Sequence, residues 1–291
     1  MKILNFGSLN LDYVYQVDHF VKPGETLSAI EQSVHPGGKG LNQSIALSRA
    51  GAEVYHAGCL GKGVDMLEQF LRENGVHTDF LQKTDTLQGN AVIQVNREGQ
   101  NCILLFGGSN RCVTPAQVES TLSHFDCGDF LVLQNEISEL PHIIDAARAR
   151  GMKILLNPSP YDSAVENCDL SRISVFLLNE IEGGQISGEK EPGKILEKLT
   201  ERFPEAEIVL TLGSEGSIYK HKDWEFHQGI YKVKAVDTTA AGDTFTGYFI
   251  SCLINGMEVQ KSLDIAAKAS SIAVTRPGAT DSIPLREEVL G

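Results

Sequence analysis

The sequence predicts an α/β fold with a mainly parallel central sheet, helices on both faces and a small β-sheet appendage. Three observations carry the prediction. Short unbroken apolar runs such as FLVLQ (130–134) and EIVLTLG (207–213) read as strands buried on both faces. Between them lie stretches of helical period such as LPHIIDAARARG (140–151). Two further segments break that rhythm with alternation of period two.

In chain order, KILNFGSL (2–9) reads as the first strand and GLNQSIALSRAG (40–51) as a helix stopped by Gly51. EVYHAGCL (53–60) is a strand, followed by a helix from about Asp65 to Asn74. The strand FLVLQ, the helix 140–151, and the strands KILLNP (153–158) and SVFLLN (174–179) follow, then a helix-rich stretch to Phe203. After the strand 207–213 the chain ends in two helices, Ala240–Asn255 and Val259–Thr275. Such β/α alternation implies a parallel sheet between helical layers. The exceptions are TLSAIEQSV (26–34) and GNAVIQVNREGQNCILLF (89–106), the latter with a hairpin signal at REGQ. They predict a small projecting sheet, with segments at about 12–34 and 89–106, that serves as a lid, a dimer contact or both. No repeat or linker interrupts residues 1–291, which read as one α/β domain.

The chain of 291 residues is long enough to hide roughly 75% of its unfolded surface without a disulfide or metal staple. Its 25 Lys and Arg against 38 Asp and Glu leave a net charge of −13. That field repels polyanions and argues against nonspecific binding to nucleic acid or anionic membrane. Six scattered cysteines with no C-x-x-C pair read as free thiols in a reducing cytoplasm. The start, MKILNFGSLNLD, has too short an apolar run for a signal peptide, and no run approaches the roughly 20 residues of a membrane span.

Neither common nucleotide motif is present: GGKG (37–40) is followed by Leu41, and GKGLNQ has Gln43 where a third glycine would stand. No H-E-x-x-H occurs. HPGGKGLNQ (35–43) is a Gly-rich turn into a helix. It reads either as glycines serving positive φ or as backbone close to a ligand, with Lys39 and Asn42 aimed at it. Asn10 and Asp12 follow the first strand and face one way in extended chain, although both are also turn residues. Glu136 closes a buried strand. Asn179 and Glu182 stand i, i+3 at a helix start, the spacing of a plain capping box. Thr211, Gly213 and Gly216 make a small-residue turn. In DTTAAGDTF (237–245), Ala240, Ala241 and Gly242 leave the first-turn amides of a helix open to an anion. Asp243 then either handles a proton beside that anion or simply favours the helix N-terminus.

Together, GSLNLD, PGGKGLNQ, LNPSP, NEIEGG, TLGSEG, VDTTAAGDTFTGYF and IAVTRPGA resemble the ribokinase-like (PfkB) carbohydrate kinase family, almost end to end. Within it, GGKG-x-NQ and NPSP point to the ribose-phosphorylating members. The resemblance implies an ATP-dependent kinase that phosphorylates the primary hydroxyl of D-ribose. It implies sugar contacts at Asn10, Asp12, Gly38, Lys39, Asn42 and Glu136, a catalytic base at Asp243, and an anion hole at Ala240–Asp243. ATP contacts map to Asn179, Thr211, Gly213 and Gly216, and Glu182 to the ordering of Mg²⁺ and phosphate. A K⁺ site maps to Asp237, Thr239, Ala273, Arg276, Gly278 and Ser282, and a homodimer through the lid is implied as well. Two departures stand out: Lys62–Gly63 where an acid is common, and Ala267 near the adenine site where Asn or His is frequent. The alternatives are a phosphosugar kinase of the 1-phosphofructokinase or tagatose-6-phosphate type, and a non-catalytic sugar- or nucleoside-binding protein. The phosphosugar kinases favour Val where this chain has Gln43, and they need extra cations, for which Lys62 is the candidate.

Overall fold

A computed structural model describes all 291 residues. The strands are β1 (Ile3–Phe6), β2 (Asn10–Gln16), β3 (Glu31–Gly37), β4 (Val54–Leu60), β5 (His77–Lys83), β6 (Asn90–Val95), β7 (Asn101–Phe106), β8 (Phe130–Gln134), β9 (Lys153–Asn157), β10 (Val175–Asn179), β11 (Glu207–Thr211), β12 (Ser217–His221) and β13 (Trp224–Gln228). The helices are α1 (Lys39–Arg49), α2 (Asp65–Glu73), α3 (Pro115–Leu122), α4 (Leu140–Ala149), α5 (Ser163–Glu166), α6 (Glu180–Ser187), α7 (Pro192–Arg202), α8 (Ala241–Ile254), α9 (Val259–Ala273) and α10 (Arg286–Leu290).

Nine strands form the central sheet in the order β13-β12-β11-β10-β9-β8-β1-β4-β5. Neighbours from β11 to β5 pair in parallel, whereas β12 and β13 add an antiparallel hairpin at one edge. Side-chain alternation splits the core between the two faces. On β8, Leu131 and Leu133 join a cluster with residues of α3, α4, α6 and α7, while Phe130 and Val132 join one with residues of α1, α2, α8 and α9. Burial on both faces explains why these strands are unbroken apolar runs.

The second sheet has the order β3-β2-β6-β7, with β2 and β6 parallel and the outer pairs antiparallel. The hairpin predicted in 89–106 is β6–β7. The strand predicted at 26–34 is corrected to Glu31–Gly37. Its partner β2 ends at Gln16 opposite Glu31, so residues 26–30 have no strand to pair with. Pro36 is tolerated because β3 is an edge strand. The sequence reading missed β5 and the β12–β13 hairpin, which lie at the edges of the central sheet and lack contiguous apolar runs. No helix is long and apolar enough to cross a membrane.

Helices α1 and α8 approach closely on one face of the sheet. A Cβ on Gly247 would overlap Ala46, so this contact requires a glycine. It brings together two helix N-termini that lie some 200 residues apart in the chain.

Candidate active site

The strand order reverses at β1, whose neighbours are β4 on one side and β8 on the other. In open α/β sheets a ligand crevice forms at such a point, beyond the carboxyl ends of the strands. Ser8, just after β1, donates its hydroxyl to Glu136, just after β8. The Lys39 backbone N–H donates to the same carboxylate oxygen at 3.0 Å, and the Gly40 N–H donates to Ser8 Oγ at 3.1 Å. The first turn of α1 is thereby tied into the crevice. A Cβ on Gly40 would overlap the Gly7–Ser8 backbone, and Gly38 caps the helix at φ 94°, so both glycines are structural requirements.

Asn10 and Asp12 begin β2 above this turn. Asn10 Oδ1 accepts from Asn110 Nδ2 at 2.7 Å, and Asp12 lies over Gly37, where a Cβ would collide with its carboxyl group. From α1, Asn42 Nδ2 and Gln43 Nε2 donate to Asp243 Oδ2 and Oδ1, each at 2.9 Å. Asn42 Oδ1 has no protein partner.

Asp243 lies in the first turn of α8, buried from solvent. Ala240 caps this helix in the left-handed region at φ 58°, a conformation that costs an L-residue about 1 kcal/mol. The backbone N–H groups of Ala240, Gly242 and Asp243 find no backbone acceptor, and that of Ala241 reaches Thr238 O at 3.3 Å. Unpaired amides at a helix N-terminus form an anion site.

Two cavities meet here. One, of about 210 Å³, is lined by Lys39, Asn179, Glu182, Thr211, Ala240 and Asp243, among others. The other, of about 490 Å³, is lined by Gly213, Gly216, Ile230, Tyr231, Ala241 and Ala267, among others. Thr211, Thr238 and Gly242 border both, so the two spaces adjoin across the start of α8. Asn179 caps α6, accepting from the N–H groups of Ile181 and Glu182, while Glu182 returns a carboxylate to the Asn179 N–H at 2.9 Å. The capping box is therefore real, and its two side chains also face the smaller cavity. Lys62 is exposed and lines neither cavity.

The site gathers four acids, Asp12, Glu136, Glu182 and Asp243, around Lys39. Burial, with Glu136 and Asp243 nearby, pushes the Asp12 carboxyl up to about 7. Glu136 is raised by burial, against the opposing pull of Lys39, Ser8 and the Lys39 N–H. For Lys39 burial favours the neutral amine, but the carboxylates of Asp243, Glu136 and Glu182 outweigh it and hold the ammonium above its ordinary value.

The remaining predicted residues form a separate group. Asp237 accepts from Thr239 N (2.9 Å) and Thr239 Oγ1 (2.6 Å) through one oxygen and from Gly278 N (3.0 Å) through the other, joining the two loops. Ala273 O accepts from Arg276 N, and Ser282 Oγ donates to Ala279 O. The Arg276 side chain pairs with Glu288 at 2.5 Å. Sequence reasoning missed Ser8, Asn110, Asn5 and Gln134. For Ser8, Asn5 and Gln134 the only signal is a polar residue in or beside an apolar strand, where burial demands a partner, and Asn110, in the helical turn 108–112, carries none.

Because Asp12 holds its proton to about pH 7 in the folded state, against 3.8 ordinarily, the native protein binds a proton that the unfolded chain has released. Stability therefore falls as pH rises between those values. Asp12→Asn is expected to match the wild type in denaturant titrations at about pH 4 and to be more stable by about 2 kcal/mol at about pH 8. An equal effect at both pH values would mean that Asp12 ionises normally in the folded protein.

Residues 1–286 match the pfkB family carbohydrate kinases. The ribokinase of Staphylococcus aureus (strain COL) is 37% identical over 302 residues, covering 99% of this chain and 98% of its own. The crystal structure of ribokinase from Cryptococcus neoformans var. grubii serotype A in complex with ADP superposes with a TM-score of 0.87 at 30% identity, covering 99% and 98% of the two chains. Arabidopsis thaliana ribokinase complexed with ribose and ATP does so with a TM-score of 0.84 at 27% identity, covering 99% and 97%. The matches run through both sheets and both helix starts of the crevice, and by them the chain belongs to the pfkB family of carbohydrate kinases.

Proposed function

We propose that this protein is an ATP-dependent sugar kinase that transfers the γ-phosphate to the primary hydroxyl of D-ribose, giving ribose 5-phosphate. The observation that carries the reading is the pairing of a buried carboxylate, Asp243, with unpaired amides of the same helical turn, at the junction of two cavities. The sugar occupies the crevice bounded by Asn10, Asp12, Gly38, Lys39, Asn42 and Glu136, where the free Asn42 Oδ1 can accept from a hydroxyl. ATP lies in the larger cavity along Thr211, Gly213 and Gly216, with its phosphates directed toward Asn179, Lys39 and the start of α8.

In the reaction the hydroxyl oxygen forms a bond to the γ-phosphorus as the bond to the ADP oxygen breaks, and Asp243 accepts the hydroxyl proton. A placed base contributes about 10²–10⁴ in rate. The amides of residues 240–243 stabilise charge on the transferring group, at roughly 3 kcal/mol per donor. Lys39 adds positive charge beside the same phosphate. The small sheet acts as a lid over the sugar, excluding the water that would otherwise accept the phosphate.

Mg²⁺ neutralises phosphate charge when bound with ATP. Glu182 suits its water shell rather than direct ligation, since each of its carboxylate oxygens already accepts one hydrogen bond from Asn179. For K⁺ the loops fit: the carbonyls of Asp237, Thr239, Arg276 and Gly278 accept no backbone hydrogen bond, and such oxygens can replace an ion's hydration shell. These residues, with Ala273 and Ser282, would brace the segment that leads into α8. Initial rates are expected to rise several-fold in K⁺ over Na⁺ at constant ionic strength, with a smaller change in sugar affinity. Rates indifferent to the cation would remove it from the mechanism.

We also infer a homodimer through the lid. Both faces of β7 are exposed, presenting Ile103, Leu104, Leu105 and Phe106 on an edge strand. Sedimentation should give a dimer that Leu104→Asp dissociates, and a wild-type monomer at micromolar concentration would exclude it. Six free thiols suit a reducing cytoplasm, where we place the enzyme. A phosphosugar substrate is less well served, because Lys62 lies outside both cavities.

The decisive variant is Asp243→Asn, which keeps the shape and removes the base. It should lower kcat by at least about a hundredfold while calorimetric ribose binding stays within about tenfold. Ribose binding together with near wild-type kcat would overturn the general-base assignment.

A further inference from the structure

Asp243 stands at one end of a run of buried polar side chains that the reaction above does not use. Gln43 Nε2 donates to Asp243 Oδ1 at 2.9 Å. Gln134 Nε2 donates to Gln43 Oε1 at 2.7 Å and to Asn5 Oδ1 at 3.0 Å. Asn5 Nδ2 donates to Gly40 O and to Ser44 Oγ, both at 2.7 Å, and Ser44 Oγ lies 2.8 Å from His56 Nδ1. All five of these partners are fully buried. Gln134, Asn5 and His56 come from the adjacent strands β8, β1 and β4, and Asn5 and His56 are direct register partners. Apolar side chains would pack this helix–sheet contact without the desolvation that five polar groups require.

The direction of each amide bond is fixed from the carboxylate. An ionised carboxylate only accepts, so Gln43 turns its NH₂ to Asp243 and its carbonyl to Gln134. Gln134 must then present its NH₂, which also holds the Asn5 carbonyl. Asn5 is left to donate to Ser44, whose hydroxyl pairs with His56 Nδ1. His56 is neutral at that end, burial having pushed it down to about 4. Each amide therefore has one orientation that makes these bonds, with Gln134 Oε1 left unpartnered, and Gln43 cannot turn away without breaking its bonds to both Asp243 and Gln134.

We propose that Gln43, locked by Gln134 and Asn5, is a positioning residue that fixes the Asp243 carboxylate for proton acceptance during phosphoryl transfer. The inference rests on Asp243 being the base. Asn42 holds the other carboxylate oxygen but also faces the sugar, so orientation independent of substrate falls to Gln43. The competing view is that the run merely fastens α1 to the sheet.

Two substitutions separate these views, measured beside Asp243→Asn. Gln43→Leu keeps the volume and removes the donor. It is expected to lower kcat about 10- to 100-fold, as a small misplacement of a reacting group does, while KM for ribose and for ATP stays within about threefold. Gln43→Glu places a second carboxyl against Asp243. The pair then shares a proton near neutrality, and the ratio of variant to wild-type kcat should climb as pH rises. Gln43→Leu that binds ribose and turns over within about twofold of wild type would overturn the proposal. Should Gln43→Leu fail to fold, Gln43→Glu decides: a climbing ratio supports positioning, and a ratio flat with pH contradicts it. If Asp243→Asn itself retains kcat, the base assignment fails first and takes this proposal with it. An inactive Asp243→Asn beside a normal Gln43→Leu refutes positioning alone.

Discussion

Two amides at the start of α1 hold one carboxylate at the start of α8, and much of the architecture serves that contact. Asn42 and Gln43 come from the first third of the chain and Asp243 from the last, so the bond pair closes the molecule across the central sheet. It exists because Gly247 lets α8 approach Ala46, and because Gly40 lets α1 settle onto the Gly7–Ser8 backbone. A single methyl group at either place would push apart the two helix starts that shape the crevice. The glycines here fix the distance between α1 and α8 more than they supply flexibility.

The electrostatics follow from the same crowding. Asp12 and Glu136 share a poorly solvated space with Lys39 and Asp243: burial raises both carboxyls, Glu136 and Asp243 add to the rise at Asp12, and the acids around Lys39 hold its ammonium. The raised Asp12 carboxyl marks a cost that the empty protein carries above neutral pH. In the proposed reaction the cluster would supply the placed charge and proton acceptor that phosphoryl transfer mainly asks for. The left-handed Ala240 is a second local cost at the same point, where the backbone turns so that its amides face the cavity.

How much of this was legible in the sequence depended on what each element asks of its residues. Strands β8 to β11 are buried on both faces and so spell contiguous apolar runs. The helix starts at 38–43 and 240–243 work through backbone, and backbone work leaves small residues as its trace. The β12–β13 hairpin was not legible because polar and apolar residues mix along both five-residue strands, from the partly buried SIYKH to the largely exposed WEFHQ, and match no single period. The 26–34 strand was misplaced because its length is set by where β2 ends, which no local pattern records. Asn5, Gln134 and His56 were passed over for a related reason: a polar residue in a strand announces that it needs a partner without saying which one. Gln43 was noticed as a family marker, and its bond to Asp243 emerged only with the fold.

The proposed reaction requires sugar, base and transferring phosphate to meet at the start of α8. A crystal structure with ribose, ADP, Mg²⁺ and aluminium fluoride tests this most directly. The account predicts the fluoride complex on the amides of residues 240–243, with the ribose primary hydroxyl within hydrogen-bond distance of Asp243. Ribose with that hydroxyl turned away from Asp243, or the fluoride complex bound away from those amides, would contradict it.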